Sequence, residues 1–351
     1  MKLSVEPVAV DLRAPFAAGH GTVSARQLLL VTLQAGDGRT GHGEAAPLPS
    51  YDGVSIADVL DALEACRPVL DSYPGHAPIA DVIARCAEVT VIAPALAAID
   101  LALWDLAGRR AGEPVWRLLG ASAAPPVAVN RTITAADRST AAREAAEARV
   151  AGFRTVKVKV GIGDDPGRLA AVRAFAGPAM AIRIDANGAW TLEQALAMLD
   201  VLEPVGIELC EEPVHGLAAI ATLSGETAIP LALDESAEQP GALDAAVCDL
   251  ACLKISRCGG ISGTVEAAAR ARAAGYDVYL ASTLDGPLGI AAALHAAAAI
   301  RPRRACGLAT LGLFAGRADP LPARDGVISP PVAPGLSEGL LDWYHAAPAT
   351  R

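Results

Sequence analysis

Six charged residues stand at the ends of five short apolar segments, where an ordinary hydrophobic core would reject them. They are Lys157 and Lys159 in TVKVKV, Asp185 in AIRID, Glu211 in IELCE, Asp234 in PLALD and Lys254 in ACLKI. Three carboxylates drawn together repel one another strongly unless a divalent cation neutralises them. An all-oxygen set of this kind suits Mg²⁺, with Mn²⁺ able to take its place. Lys157 and Lys159 lie at i and i+2, so on a strand both ammonium groups point to one face. Close positive charge and a bound cation depress a lysine pKa, which would make a neutral amine available as a base near pH 7. A substrate carboxylate on the metal then has its α-proton acidified, a lysine removes it, and the metal and remaining lysines hold the enediolate. Reprotonation of that species gives racemisation, and loss of a β-group gives elimination or cycloisomerisation.

The elements that must position these groups follow from their spacing. From Lys159 onward the intervals are 26, 26, 23 and 20 residues, about the length of one strand, one helix and two loops. Consecutive units of that period read as a parallel (β/α) barrel, whose C-terminal strand ends share one open face. VAVNRTI before the first lysines and YDVYLAST and ACGLAT after Lys254 complete eight strands. Helices fall between them, among them a stretch from about residue 135 to 151 closed by Gly152. Lys254 then comes from the far side of the barrel and approaches a metal-held substrate from the opposite direction to Lys159. Asn187, in the turn DANG, is a candidate to support the ligands from behind, as are Arg183 and Glu235 beside them.

Ahead of the barrel the pattern is different. Residues 1 to about 46 read as a β-meander, with Leu3 to Val10 alternating and QLLLVTL forming a second strand. From about Ser55 to Ala111 the periodicity is helical, so the first 120 residues form a separate α+β domain. Its loops, AAGHGTVSAR with His20 and PLPSYDG with Tyr51, are placed to cover something. The barrel domain is expected over residues 121–315. The proline-rich tail, 316–351, is expected to wrap back and complete the first domain.

Composition narrows the function classes. Of 351 residues, 52% are hydrophobic and 19% charged, which describes a compact globular protein rather than a disordered one. A net charge of −10 without a basic stripe excludes nucleic acid as the expected partner. No signal peptide or membrane-spanning run is evident, so a cytoplasmic protein acting on a small-molecule carboxylate is expected, with assembly into a homo-oligomer allowed. Seven scattered cysteines without a CxxC read as reduced core residues.

Taken in order and spacing, KVKVG, RIDANGAW, ELCEEP, LALDES and LKISRCGGI resemble the muconate-lactonizing-enzyme subgroup of the enolase superfamily. The resemblance spans essentially the whole chain. It implies a modified (β/α)₇β TIM-type barrel under an N-terminal α+β capping domain, Mg²⁺ on Asp185, Glu211 and Asp234, and Lys159 and Lys254 on opposite faces of the substrate. Within the subgroup, GHGEAAPLPSYDG, VAVNRTITA, STLDGPLG and ACGLATLGLF look most like the o-succinylbenzoate synthases of menaquinone biosynthesis, which dehydrate a succinyl-hydroxycyclohexadiene carboxylate. Dipeptide epimerases typically carry a DxD at the eighth strand to bind a substrate ammonium. The matching positions here are Gly307 and Ala309, while Asp285 at the seventh strand keeps an acid nearby. Ser282, Thr283 and Gly307 are candidates for the distal part of the substrate, with His20 and Tyr51 reaching in from the cap. Dipeptide epimerase, N-succinylamino acid racemase and muconate cycloisomerase are the alternatives on the same fold. A Schiff-base aldolase, or a binding protein that kept only the architecture, is the alternative from another class.

Overall fold

The run QLLLVTL is apolar on both faces because both faces are buried. In the computed structural model, which describes residues 1–18, 21–336 and 339–346, the run lies in the middle strand of a three-stranded antiparallel sheet. The strands are β1 (Lys2–Ala18), β2 (Gly21–Gln34) and β3 (Thr40–Ala45). Leu29, Val31 and Leu33 face one hydrophobic cluster, built with Leu63, Leu70, Ile99 and Leu106 of the cap helices. Leu28 and Leu30 face the other, which continues into the barrel. The helices Ile56–Ser72, Ile79–Ala87 and Ala93–Ala111 cover the first face. Ser55 starts the first of them with a capping box to Asp58. Gly41 and Gly43 let β3 lie against the third: a Cβ at either position would stand 2.1 or 2.0 Å from a helix carbonyl oxygen.

After β4 (Val127–Ala128), the barrel is a seven-stranded parallel sheet. Its strands in order are β5 (Arg131–Ile133), β6 (Thr155–Lys159), β7 (Ala181–Asp185), β8 (Ile207–Glu211), β9 (Leu231–Leu233), β10 (Leu250–Lys254) and β11 (Asp277–Ala281). Near-continuous apolar runs and helical crossovers are what a parallel sheet buried on both faces requires. The eighth strand expected from ACGLAT is reduced to a seam. Ala281 bridges Gly307 and Val129 bridges Cys306, and Gly307 N donates to Leu280 O at 2.8 Å while Asn130 N donates to Cys306 O at 3.0 Å. The seam closes the ring without a helix of its own, so the architecture is a (β/α)₇β barrel with an N-terminal cap.

The tail then travels back. β12 (Val327–Ile328) pairs antiparallel with β4, and Gly335 N donates to Glu113 O at 3.0 Å. Tyr344 reaches the Glu44 carboxylate of β3. No helix among the described residues is long and apolar enough to cross a membrane.

Candidate active site

Register brings the charged residues together. Lys159 pairs with Asp185 across β6 and β7, and Asp185 with Glu211 across β7 and β8, so the three form one row at the strand ends. Asp234 immediately follows β9 and Lys254 ends β10. In a ring of eight positions β6 and β10 are four apart, which sets Lys159 and Lys254 across the barrel from each other. Asp185, Glu211, Asp234, Lys159 and Lys254 are all buried.

Lys157 Nζ stands between Asp185 Oδ2 at 2.7 Å and Glu211 Oε1 at 2.6 Å. Lys159 Nζ donates to Asp185 Oδ2 and to Asn187 Oδ1, both at 2.7 Å. Lys254 is paired with Asp234 and donates to the Tyr51 hydroxyl at 2.6 Å, which in turn donates to Asp234 Oδ1 at 2.9 Å. Without a bound cation, the carboxylates set the direction for Lys157 and Lys254. Burial alone lowers Lys157 and Lys254, but the carboxylates of Asp185 and Glu211, and of Asp234, outweigh it and hold both amines above the usual lysine range. Burial likewise works against ionised Asp185, and the ammonium groups of Lys157 and Lys159 more than offset it, holding its carboxyl below the usual range.

The donor chemistry fits a hard cation. Asp185 and Glu211 already converge on one positive charge, at Lys157 Nζ. The ligand atoms of Glu211, Asp234 and Cys252 lie within 4.8 Å of one another. Asp185 lies outside that tight group, with its Oδ2 on Lys157 and Lys159. Cys252 is a poor partner for Mg²⁺: burial pushes its thiol well up, which keeps the soft sulfur protonated. The oxygen set Asp185, Glu211 and Asp234 is therefore the one that would hold Mg²⁺.

The supporting residues divide by position. Asn187 sits in the left-handed region at φ 47°, as a turn residue of DANG does, and also grips Lys159 and Glu235. Glu235 accepts from Asn187 at 3.0 Å through one oxygen, and its other oxygen is buried without a hydrogen-bond partner among the described residues. Arg183 lies one layer deeper, donating to Glu208 at 2.7 Å and to Ala305 O at 2.6 Å.

A cavity of about 70 Å³ connects the lysines to the cap. Tyr51, Ser282, Thr283 and Gly307 line it, as the sequence suggested, together with Phe16, Val23, Leu48, Thr132, Leu284 and Thr310. This volume is below the roughly 300 Å³ at the lower end of ligand clefts. Asp285 does not line the cavity. Its carboxylate accepts from Thr283 N at 2.9 Å and Thr283 Oγ1 at 3.1 Å, and lies near Arg26 in a buried cluster between cap and barrel. His20 lies outside the described residues. Phe16 of β1, Thr132 of β5 and Thr310 beyond the barrel seam were not foreseen, since alternation gives the face of a strand but not which residues of separate segments meet. Alternation does place Tyr279, two residues before Ala281, on the barrel interior. A larger cleft of about 800 Å³ at the opposite end of the barrel is lined by Arg272, Arg301 and Arg303 and gathers no comparable chemistry.

Comparison with known proteins gives the same outline. The family model described as mandelate racemase / muconate lactonizing enzyme, N-terminal domain, matches residues 1–120, and the one described as enolase C-terminal domain-like matches residues 140–341. The chain is 30% identical to the L-Ala-D/L-Glu epimerase of Bacillus subtilis over 86% of this chain and 85% of that protein. It is 40% identical to the o-succinylbenzoate synthase of Mycobacterium bovis, over 55% of this chain and 61% of that one. The crystal structure of a dipeptide epimerase from Cytophaga hutchinsonii, complexed with Mg and the dipeptide D-Ala-L-Val, superposes with a TM-score of 0.86 at 27% identity, covering 97% and 98% of the two chains.

Proposed function

The chain belongs to the enolase superfamily, in its muconate-lactonizing-enzyme subgroup, and from that premise we propose that it is an o-succinylbenzoate synthase. Asp185, Glu211 and Asp234 would hold Mg²⁺, and the ion would supply the charge that polarises the substrate carboxylate. Lys159 removes the α-proton as a free amine. Its link to Asp185 is one that a substrate-ready site must loosen. The electron pair of the broken C–H bond forms the new ring double bond as the β C–O bond breaks, and the Lys159 ammonium returns its proton to the departing hydroxide, so the net loss is one water. Lys254 stays an ammonium beside Asp234 and Tyr51 and stabilises charge developing on the carboxylate oxygens.

The observation that carries this choice is the uncharged wall facing the lysines. Beyond the lysine–carboxylate cluster, the cavity is lined by Ala281, Ser282, Thr283, Leu284, Gly307 and Thr310 from the barrel, and Phe16, Val23 and Leu48 from the cap. Among the described residues, no acid in this wall balances a substrate ammonium, and Asp285 is committed elsewhere. A dipeptide with a free amino group would leave that charge unpaired. A succinyl tail meets hydroxyls and apolar surface instead. Incubating the purified protein with Mg²⁺ and the succinyl-hydroxycyclohexadiene carboxylate, while following the absorbance of the aromatic product, tests the reading; absence of turnover refutes it.

The opposed placement of Lys159 and Lys254 favours a second reaction in the same pocket, racemisation of an N-succinylamino acid. Deuterium uptake at the α-carbon in D₂O without net elimination would identify it.

A further inference from the structure

We propose that Tyr279 is a positioning residue for the metal site, fixing one oxygen of Glu211 so that the other is presented to the cation. The inference rests on the reading above that Glu211 is a ligand of Mg²⁺. Tyr279 is buried in β11, three strands along the sheet from β8, and its hydroxyl donates to Glu211 Oε2 at 2.6 Å. The other oxygen, Oε1, is the one facing Lys157 Nζ at 2.6 Å. Each oxygen of Glu211 thus has a separate partner, one on a rigid phenol and one on the cation side. A carboxylate held through a single oxygen loses the freedom to rotate about its terminal bond, and the entropy that binding would otherwise cost is already spent.

The phenol is itself held. The Arg183 guanidinium lies over the Tyr279 ring at 5.1 Å, and its fork is fixed by Glu208 at 2.7 Å and by Ala305 O at 2.6 Å, in the segment that closes the barrel. The chain of support therefore runs from the barrel seam through Arg183 and Tyr279 to Glu211.

The test is Mg²⁺ binding to the full-length protein by isothermal titration calorimetry, for wild type, Tyr279→Phe, Arg183→Lys and the double variant. Loss of a group that orients a metal ligand typically weakens binding about 10- to 100-fold, and that is the loss expected for Tyr279→Phe. Its turnover should return close to the wild-type value at saturating Mg²⁺, because affinity rather than the chemical step is changed. Arg183→Lys should weaken binding less, and add nothing once Tyr279 is Phe, since both act on the same oxygen. Unchanged affinity in Tyr279→Phe overturns the inference and leaves the metal reading standing. No Mg²⁺ binding by the wild type defeats both. If Tyr279→Phe does not fold, Arg183→Lys decides alone, and wild-type affinity there refutes the proposal.

Discussion

Replacing Glu44 by Gln should make the protein more stable, and the gain should grow with pH. Glu44 is buried where β3 of the cap meets the loop after β11. It accepts from Gly286 N at 2.7 Å and from the Tyr344 hydroxyl of the tail. Burial pushes its carboxyl up to about 8, and Asp285 adds to the shift, while Tyr344, Gly286 and Arg26 oppose it. Arg26 is itself committed to carbonyl oxygens of Pro47, Ala46 and Leu284, at 2.6, 3.0 and 3.3 Å. Between pH 4.5 and 8 the folded protein keeps the Glu44 proton and the unfolded chain releases it. The native state therefore binds more protons, and its stability falls as pH rises through that window. A rise from 4.5 to about 8 corresponds to a ceiling of about 5 kcal/mol above pH 8. Relaxation around the newly charged group absorbs part of this, so Glu44→Gln is expected to gain about 1–3 kcal/mol at pH 8.5 and almost nothing near pH 4. Gln reproduces the neutral acid, with its oxygen accepting from Gly286 and its amide donating to Tyr344. Urea unfolding of both proteins from pH 4 to 9 measures the difference. Parallel pH curves, or a variant less stable at pH 8.5, would refute the reasoning.

Two further outcomes concern catalysis. Lys159→Ala should lower kcat by at least about 10³-fold with the fold retained, because Lys157 still neutralises Asp185; circular dichroism and thermal unfolding check the fold, and its loss would show the lysine to be structural. Removing the metal with EDTA should abolish turnover and Mg²⁺ should restore it, whereas a Schiff-base aldolase would persist in EDTA and be trapped by borohydride.

The fold was legible because the charged strand ends recur at barrel spacing and because a block of strands followed by a block of helices gives way, after about residue 120, to strand–helix alternation. The six charged residues were legible for the same reason: a strand interior tolerates them only where they meet. Other features were hidden by what sequence leaves open. The seam at Cys306 and Gly307 makes only bridge-like pairings, so ACGLAT looks like a full strand. Asp285 looked available to a substrate because it stands at the seventh strand, yet Thr283 and the Arg26 cluster claim it. A depressed lysine was expected from neighbouring positive charge together with a bound cation; without the cation, the carboxylates beside Lys157 and Lys254 hold these two amines up. Tyr279 was within reach of the alternation rule, but its partner Glu211 is 68 residues away.

The middle strand of the cap sheet contributes alternate side chains to two different hydrophobic clusters, Leu29 and Val31 to one and Leu28 and Leu30 to the other. Melting either half would strip one side of that strand and weaken the other half's footing, so the two halves behave as one cooperative folding unit. A protease that severs the connection near residue 122 would be expected to leave two pieces that stay associated, and neither should survive purification alone.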